Sequence, residues 1–329
     1  MFKKKLFQKI VGVLLFCSFH PFLAVATVPA YMPNKGFPVY KKKNGVGGKL
    51  TIVGSDSLSI LVTFWNEAFS DFYPNVKIQF EGKGSATAPP ALSAGVAQLG
   101  PMSRPMTQAE KADILGHNPK MQVVEVAVAL DALAVYVNYR NPLNQITLAE
   151  LDGIFSSTFK SGHANVKDWG DLSAMSADWK SKGVQIYGRN SASGTYGFFK
   201  DHVLLKGDFK STMKERPGSS SVVQSVESDE QGIGFSSLGF MTSEAKPLKI
   251  VGKDGLAYNG EYQNVVTNKY PLSRLLYIYV LKPIGKKMDP LPYEFLKMVL
   301  SAQGQKLDIQ NGSYPLTKAI LEENLKKIE

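Results

Sequence analysis

The chain has 329 residues, a formal net charge of +10 and a single cysteine, Cys17, so its fold cannot be built on disulfides and must rest on core burial. Its length exceeds one typical domain, and two lobes are expected. No basic run is interleaved with aromatics, which argues against a nucleic-acid partner, while the positive excess suits either an anionic ligand or plain solubility.

Residues 1–26 read as a secretory signal: Lys3, Lys4, Lys5 and Lys9 precede an apolar run from Ile10 to Phe19, and Ala24-Val25-Ala26 forms a small-residue cleavage site. Export with cleavage after Ala26 is expected. The apolar run is too short for a good spanning helix, and no later segment offers about 18 uninterrupted apolar residues. Phe16 before Cys17 is too bulky for a lipoprotein cleavage site. Cleavage takes the formal charge from +10 to +6, because four lysines and no acids are removed, and leaves no cysteine.

Residues 27–48 carry Pro29, Pro33, Pro38, a lysine run and Gly45, Gly47 and Gly48 with little periodic apolar signal, and read as a poorly ordered leader. Strands and helices then alternate: a strand at Leu50 to Val53, a helix from Ser57 to Phe72, a strand at Val76 to Phe80 and a helix from near Ser85. This alternation predicts an α/β fold. Leu61, Phe64, Trp65, Ala68 and Phe69 recur at helical spacing and read as core. Met121 to Asn138 is β-rich but holds Asp131 within an apolar run, where a carboxylate needs a reason. Leu148, Leu151, Ile154 and Phe155 mark a helix, and a strand begins at Val184. A helix at Ser219 to Ser228, a strand at Gly232 to Ser236 and an amphipathic helix at Pro292 to Leu300 complete the pattern. One lobe is expected over 49–134 and 236–329, the other over 135–235.

The most informative stretch runs from Val184 to Phe199, a strand, a hydroxyl-rich loop and a helix start. A helix N-terminus presents unpaired amides and a positive dipole end, so an anion there collects several hydrogen bonds. Ser193 and Thr195 add hydroxyls, Arg189 adds a planar fork of donors, and Gly194 admits close backbone approach. The same residues also suit an ordinary helix cap. Three further strand ends repeat the chemistry: Ser55, Asp56 and Ser57 after Gly54; Gly84 and Ser85 after Lys83; and Ser103 with Arg104. Strand ends border the ligand crevice of open α/β sheets, so the four loops are expected to converge on one small anion. Lys83 reads as a solvated loop lysine.

Catalysis lacks its parts. His117, His163 and His202 stand in no metal-ligand spacing, no Gly-x-Ser-x-Gly elbow is present, and the Arg189 loop has neither the P-loop spacing nor its lysine. A binding protein without metal or cofactor is expected, with a secreted phosphatase and a surface-interaction protein as the other classes.

Taken in order, Gly84-Ser85, Ser103, Asp131-Ala132-Leu133-Ala134-Val135, Ile146-Thr147-Leu148-Ala149-Glu150-Leu151, Arg189 with Ser193-Gly194-Thr195, Gly232-Ile233-Gly234-Phe235 and Tyr270-Pro271-Leu272-Ser273-Arg274 resemble the phosphate-binding proteins of bacterial ABC transporters. The resemblance covers Lys49 to about Leu316. It implies a two-lobed type II periplasmic binding protein fold with crossover hinge segments. It also implies a periplasmic monomer, inorganic phosphate in the cleft and a membrane permease as partner. The implied contacts are Ser55 to Ser57, Ser85, Ser103, Arg189, Ser193, Gly194 and Thr195. Two positions depart from the pattern: Arg104 and Ser191 stand where many relatives carry aspartate. Selectivity then turns on Asp56 and Asp131, because a carboxylate that accepts the P–OH proton favours phosphate over sulfate. Asp131 reads equally as a structural partner of Arg104 or Arg189. A receptor for sulfate, molybdate or tungstate is the runner-up.

Overall fold

The computed structural model describes residues 36–173 and 175–329. The expected signal segment and its cleavage site lie outside these residues. In chain order the elements are β1 (Gly48–Gly54), α1 (Ser59–Phe72), β2 (Val76–Gly82), α2 (Ala88–Ser93), β3 (Gly100–Met102), α3 (Gln108–His117) and β4 (Met121–Asn138). Then follow β5 (Gln145–Ile146), α4 (Leu148–Phe155), β6 (Gln185–Arg189), α5 (Gly194–His202), β7 (Lys214–Arg216), α6 (Ser219–Glu227) and β8 (Gly232–Ser237). The last are β9 (Ala245–Pro247), β10 (Lys249–Val251), β11 (Ala257–Tyr258), α7 (Tyr262–Val266), β12 (Ser273–Pro283), α8 (Pro290–Val299), α9 (Ala302–Gln310) and α10 (Lys318–Ile328).

Local chemistry sets several of these boundaries. Thr107 with Glu110 and Thr147 with Glu150 form reciprocal capping boxes that start α3 and α4, each satisfying otherwise orphaned amides. The helix expected from Ser57 begins instead with a 3₁₀ turn over Asp56–Leu58, because Ser55 accepts from the Ser57 amide and tightens the entry. A second 3₁₀ turn, Ser85–Thr87, precedes α2, here without a side-chain cap.

β1 and β2 pair in parallel and in step, from Gly48 opposite Val76 to Gly54 opposite Gly82, and a bridge from Ile52 to Leu99 draws the approach to β3 alongside. Three successive strands therefore end at one edge. Their loops are zipped together: the Ser55 amide donates to Pro101 O at 2.7 Å, and the Lys83 and Gly84 amides both donate to Gly54 O at 2.9 Å.

The larger sheet runs β3-β12-β4-β8-β6-β7, with β9 on β4. β4 serves both halves of it: residues through Ala132 pair antiparallel with β12, and Leu133 to Val137 pair with β8. β6 lies parallel to β8 and ends at Arg189, which delivers the loop into α5 beside the first three strand ends.

Leu61, Trp65 and Phe69 are buried as their spacing predicts, but Phe64 is 38% exposed and Ala68 only partly covered, since one helix cannot bury so wide a stripe. The expected leader is corrected over its described part. Phe37 and Tyr40 are buried, and Tyr40 Oη donates to Glu294 at 2.8 Å and lies 2.7 Å from Tyr73 Oη. Two isolated aromatics, invisible to a periodicity search, fasten this segment to α1 and α8.

Candidate functional site

The four hydroxyl-bearing loops meet. Ser57 Oγ lies 2.8 Å from Thr195 Oγ1, Ser55 Oγ donates to Ser103 Oγ at 3.0 Å, and the Ser103 amide donates to Ser85 Oγ at 3.0 Å. The Ala86 amide donates to Ala192 O at 3.0 Å, tying the β2 loop to the β6–α5 loop. Ser55, Ser57, Ser85, Ser103 and Thr195 are all buried. Such a concentration of hydroxyls away from water needs partners, and here they are chiefly one another.

Two glycines make this approach possible. A Cβ on Gly194 would collide with Ser85 Oγ and lie 2.7 Å from Ser103 Oγ, so a side chain there would fill the space the hydroxyls surround. Gly84 has φ of +116°, a backbone geometry that disfavours any side chain, and its Cβ would meet Ala192 O at 2.6 Å.

Guanidinium groups bound the hydroxyl cluster on two sides. Arg189, 1% exposed, makes a forked pair with Asp56: Nη1 to Oδ2 at 2.6 Å and Nη2 to Oδ1 at 2.7 Å. Its remaining donors reach Arg216 O, Pro217 O and Ser219 Oγ, so the side chain is fixed by five hydrogen bonds. The Ser219 amide and hydroxyl, at the start of α6, both donate to Asp56 Oδ2 at 2.9 Å. Asp56 thus joins the β1 loop to β6 and α6. Ser191, expected among the ligand residues, is exposed, and Arg189 takes its counter-charge from Asp56 at another strand end.

The second guanidinium is Arg274, on β12. Its Nε donates to Asp131 Oδ2 at 2.8 Å and Nη2 pairs with the same oxygen at 2.7 Å, while Nη1 reaches Thr195 Oγ1 at 3.1 Å and Ser103 O at 3.3 Å. Asp131 is fully buried and also accepts from Ser237 Oγ at 2.6 Å. The carboxylate that stood out in the apolar run is therefore explained, with Arg274 as its partner and not Arg104 or Arg189.

Arg104 is expected among the anion ligands, and the structure gives it other work. Its Nη1 and Nη2 donate to the two Glu110 carboxylate oxygens at 2.8 and 2.7 Å, and Nη1 also donates to Pro105 O. The hydrogen bond to Glu110 raises the Arg104 pKa. The pair buttresses the entry to α3, since Glu110 is also that helix's capping residue. Ser193 is buried beside the cluster but caps α5, accepting from the Thr195 and Tyr196 amides. Lys83 is exposed and pairs with Glu81.

Sequence reasoning brought forward neither Ser219 nor Arg274 as ligand candidates. Ser219 is one of three serines opening an ordinary amphipathic helix, and Arg274 belongs to the Tyr270 to Arg274 motif without any local pattern that assigns it a role. The available signal was Asp131 itself, a buried acid that demanded a base.

The sequence matches the model of the PBP superfamily domain over residues 41–303. It is 45% identical over 310 residues to the phosphate-binding protein PstS of Pseudomonas aeruginosa, covering 93% of this chain and 94% of that protein. It is 28% identical over 256 residues to PstS of Staphylococcus aureus, covering 77% of this chain and 74% of that one. In structure it is similar to a phosphate ABC transporter substrate-binding protein of Clostridium perfringens solved with bound phosphate (TM-score 0.69, 21% identity, 82% of this chain and 100% of that one). It is also similar to an ABC-type phosphate transport receptor of Vibrio cholerae (TM-score 0.63, 23% identity, 81% and 100%).

Proposed function

The chain belongs to the PBP superfamily and, within it, to the PstS phosphate-binding proteins, and on that premise we propose that it is an exported receptor that captures inorganic phosphate and hands it to an ABC permease. The observation that carries this reading is the meeting of five buried hydroxyls and two guanidinium groups around Gly194.

A tetrahedral oxyanion would exchange the hydroxyl-to-hydroxyl bonds for stronger charge-assisted ones. Ser55, Ser57, Ser85, Ser103 and Thr195 turn their hydrogens to its oxygens, the start of α5 adds its dipole, and Arg274 Nη1 is free to leave Thr195 for the ligand. Arg189 contributes by exchanging Ser219 Oγ for a ligand oxygen, with its plane held by Asp56 throughout. Two arginines balanced by two aspartates leave the pocket close to neutral, so a dianion is not drawn into an overcharged trap and can leave again.

Asp56 is the acceptor we assign to the P–OH proton. Among the described residues its Oδ1 receives only the Arg189 Nη2 bond and keeps a lone pair, whereas Asp131, on β4, is fully buried against β12. Sulfate has no proton to offer that lone pair and meets repulsion there.

Closure of two lobes, 49–134 with 236–329 against 135–235, is the mechanism of capture in this reading. The loops ending β1, β2 and β3 then belong to one lobe and the β6–α5 loop to the other, so the ligand favours the closed state by touching both. The mature receptor, cleaved after Ala26, works as a periplasmic monomer.

Calorimetric titration of the purified protein with phosphate, then with sulfate in competition, tests the proposal. Saturable phosphate binding that sulfate does not displace at neutral pH supports it. Equal competition by sulfate would reassign the protein to the wider oxyanion receptors, and absence of any saturable binding would refute it.

A further inference from the structure

A second recess lies at the opposite end of β6 from Arg189. It is a cavity of about 760 Å³ between α4, the start of β6 and the segment leading into β7. Its floor is apolar, formed by the buried Ile154, Val166 and Ile186 with Phe159 beside them. Lys167, Lys210 and Lys214 stand on its walls, and no carboxylate does. Among the described residues none of these three lysines takes part in an ion pair.

Lys210 is the informative member. Its Nζ donates to Gly153 O and Val166 O, each at 2.8 Å, which fixes the ammonium over the floor and leaves one N–H uncommitted. Burial pushes its pKa down to about 8, with Lys167 adding to the effect and Asp171 opposing it. Lys214 Nζ donates to Gln185 Oε1 at 2.8 Å and lies 5.2 Å from the centre of the Tyr187 ring. Charged residues on a short edge strand such as β7 discourage strand pairing, which accounts for Lys214 but not for a half-buried lysine off that strand. Positive charge left unneutralised over an apolar floor is unfavourable in the empty cavity and becomes favourable when an anion enters.

We infer that this cavity is a second binding site, for a small amphipathic organic anion whose charged head lies among Lys167, Lys210 and Lys214 and whose apolar body covers Ile154, Phe159 and Ile186. The cavity lies in the size range of drug-sized ligands, of about 300 to 1,000 Å³, and is far too roomy for orthophosphate alone. Ile186 and Arg189 are three residues apart on β6, roughly 10 Å along the strand, so both sites can be filled together.

The test is a calorimetric titration of 1-naphthyl phosphate into protein saturated with inorganic phosphate, and again without it. The expected result is one equivalent bound in both cases, affinity lowered at least about tenfold in the Lys167→Met/Lys214→Met double variant, and no saturable binding of uncharged 1-naphthol. That variant leaves the two carbonyl bonds of Lys210 in place, so it keeps the local fold. No saturable heat from 1-naphthyl phosphate, unchanged affinity in the double variant, or displacement by inorganic phosphate would each overturn the assignment. Because the titration is also read without inorganic phosphate, a failure at the strand-end site leaves this result intact.

Discussion

Buried carboxyl groups meet two different fates in this molecule. At the strand ends Asp56 and Asp131 are each held against a guanidinium, by Arg189 and Arg274. In the helical layer Asp308, on α9, is just as deeply buried beside Trp65, yet among the described residues neither of its oxygens has a hydrogen bond of normal geometry, and burial, opposed only by Trp65, raises its pKa well above the usual carboxylate range. In one region each acid meets a cation of fixed geometry; in the other no cation pairs with the acid among the described residues, and burial favours its neutral form.

The largest effect should come from breaking the sealed pair. Asp131→Asn leaves Arg274 buried without its counter-charge, and about 3 to 5 kcal/mol of stability should be lost in urea unfolding. Replacing both, as Asp131→Leu with Arg274→Met, should recover most of that loss while phosphate binding stays weakened, which separates the structural duty of Arg274 from the ligand contact proposed for it. Next in size, Arg189→Ala should weaken phosphate binding by about 2 to 5 kcal/mol in calorimetry, the range for truncating one partner of a buried charge pair. Asp56→Asn should act on selectivity, reducing the preference for phosphate over sulfate by about tenfold, or roughly 1.4 kcal/mol, in a competition titration.

The helical layer answers to pH. A carboxyl whose folded pKa is raised contributes stability that is complete below the unfolded value, about 4, and is lost as pH rises through the folded value. Chemical denaturation followed from acid to neutral pH should therefore show a decline that Asp308→Asn flattens; an unchanged slope would mean the proton is held elsewhere. Arg104→Ala should have the smallest consequence, below about 1 kcal/mol in stability and without measurable change in phosphate affinity, because its pair with Glu110 is partly solvated and local to the entry of α3.

What could be read from sequence was the part written locally. Strand ends rich in Ser and Gly announce themselves within six residues, so Ser55, Ser57, Ser85, Ser103, Gly194 and Thr195 were all legible, and so was the 18-residue run of β4. Pairings between distant segments were not. Asp131 and Arg274 are 143 positions apart and meet only through the β4–β12 register, while Asp56 finds Ser219 only once α6 has docked. Arg104 misled because its true partner, Glu110, lies six positions on across a loop-to-helix boundary, a spacing that no helical rule flags. The 36–47 segment misled because its Pro, Lys and Gly content masks two aromatics that suffice to fasten it.

The register of β4 against β12 has one more consequence. Asp131 and Arg274 are direct partners across that ladder, which holds ten further matched pairs between Ala132 and Met121 and shifts register once, between Leu276 and Tyr277. Sliding one strand by a single residue would turn both side chains to opposite faces and strand a lone carboxylate in aliphatic surroundings, a misassembly too costly to persist. The pair that stands beside the buried hydroxyl cluster thus also proofreads its own assembly, so a chain that has mispaired these strands does not persist as a slightly altered fold.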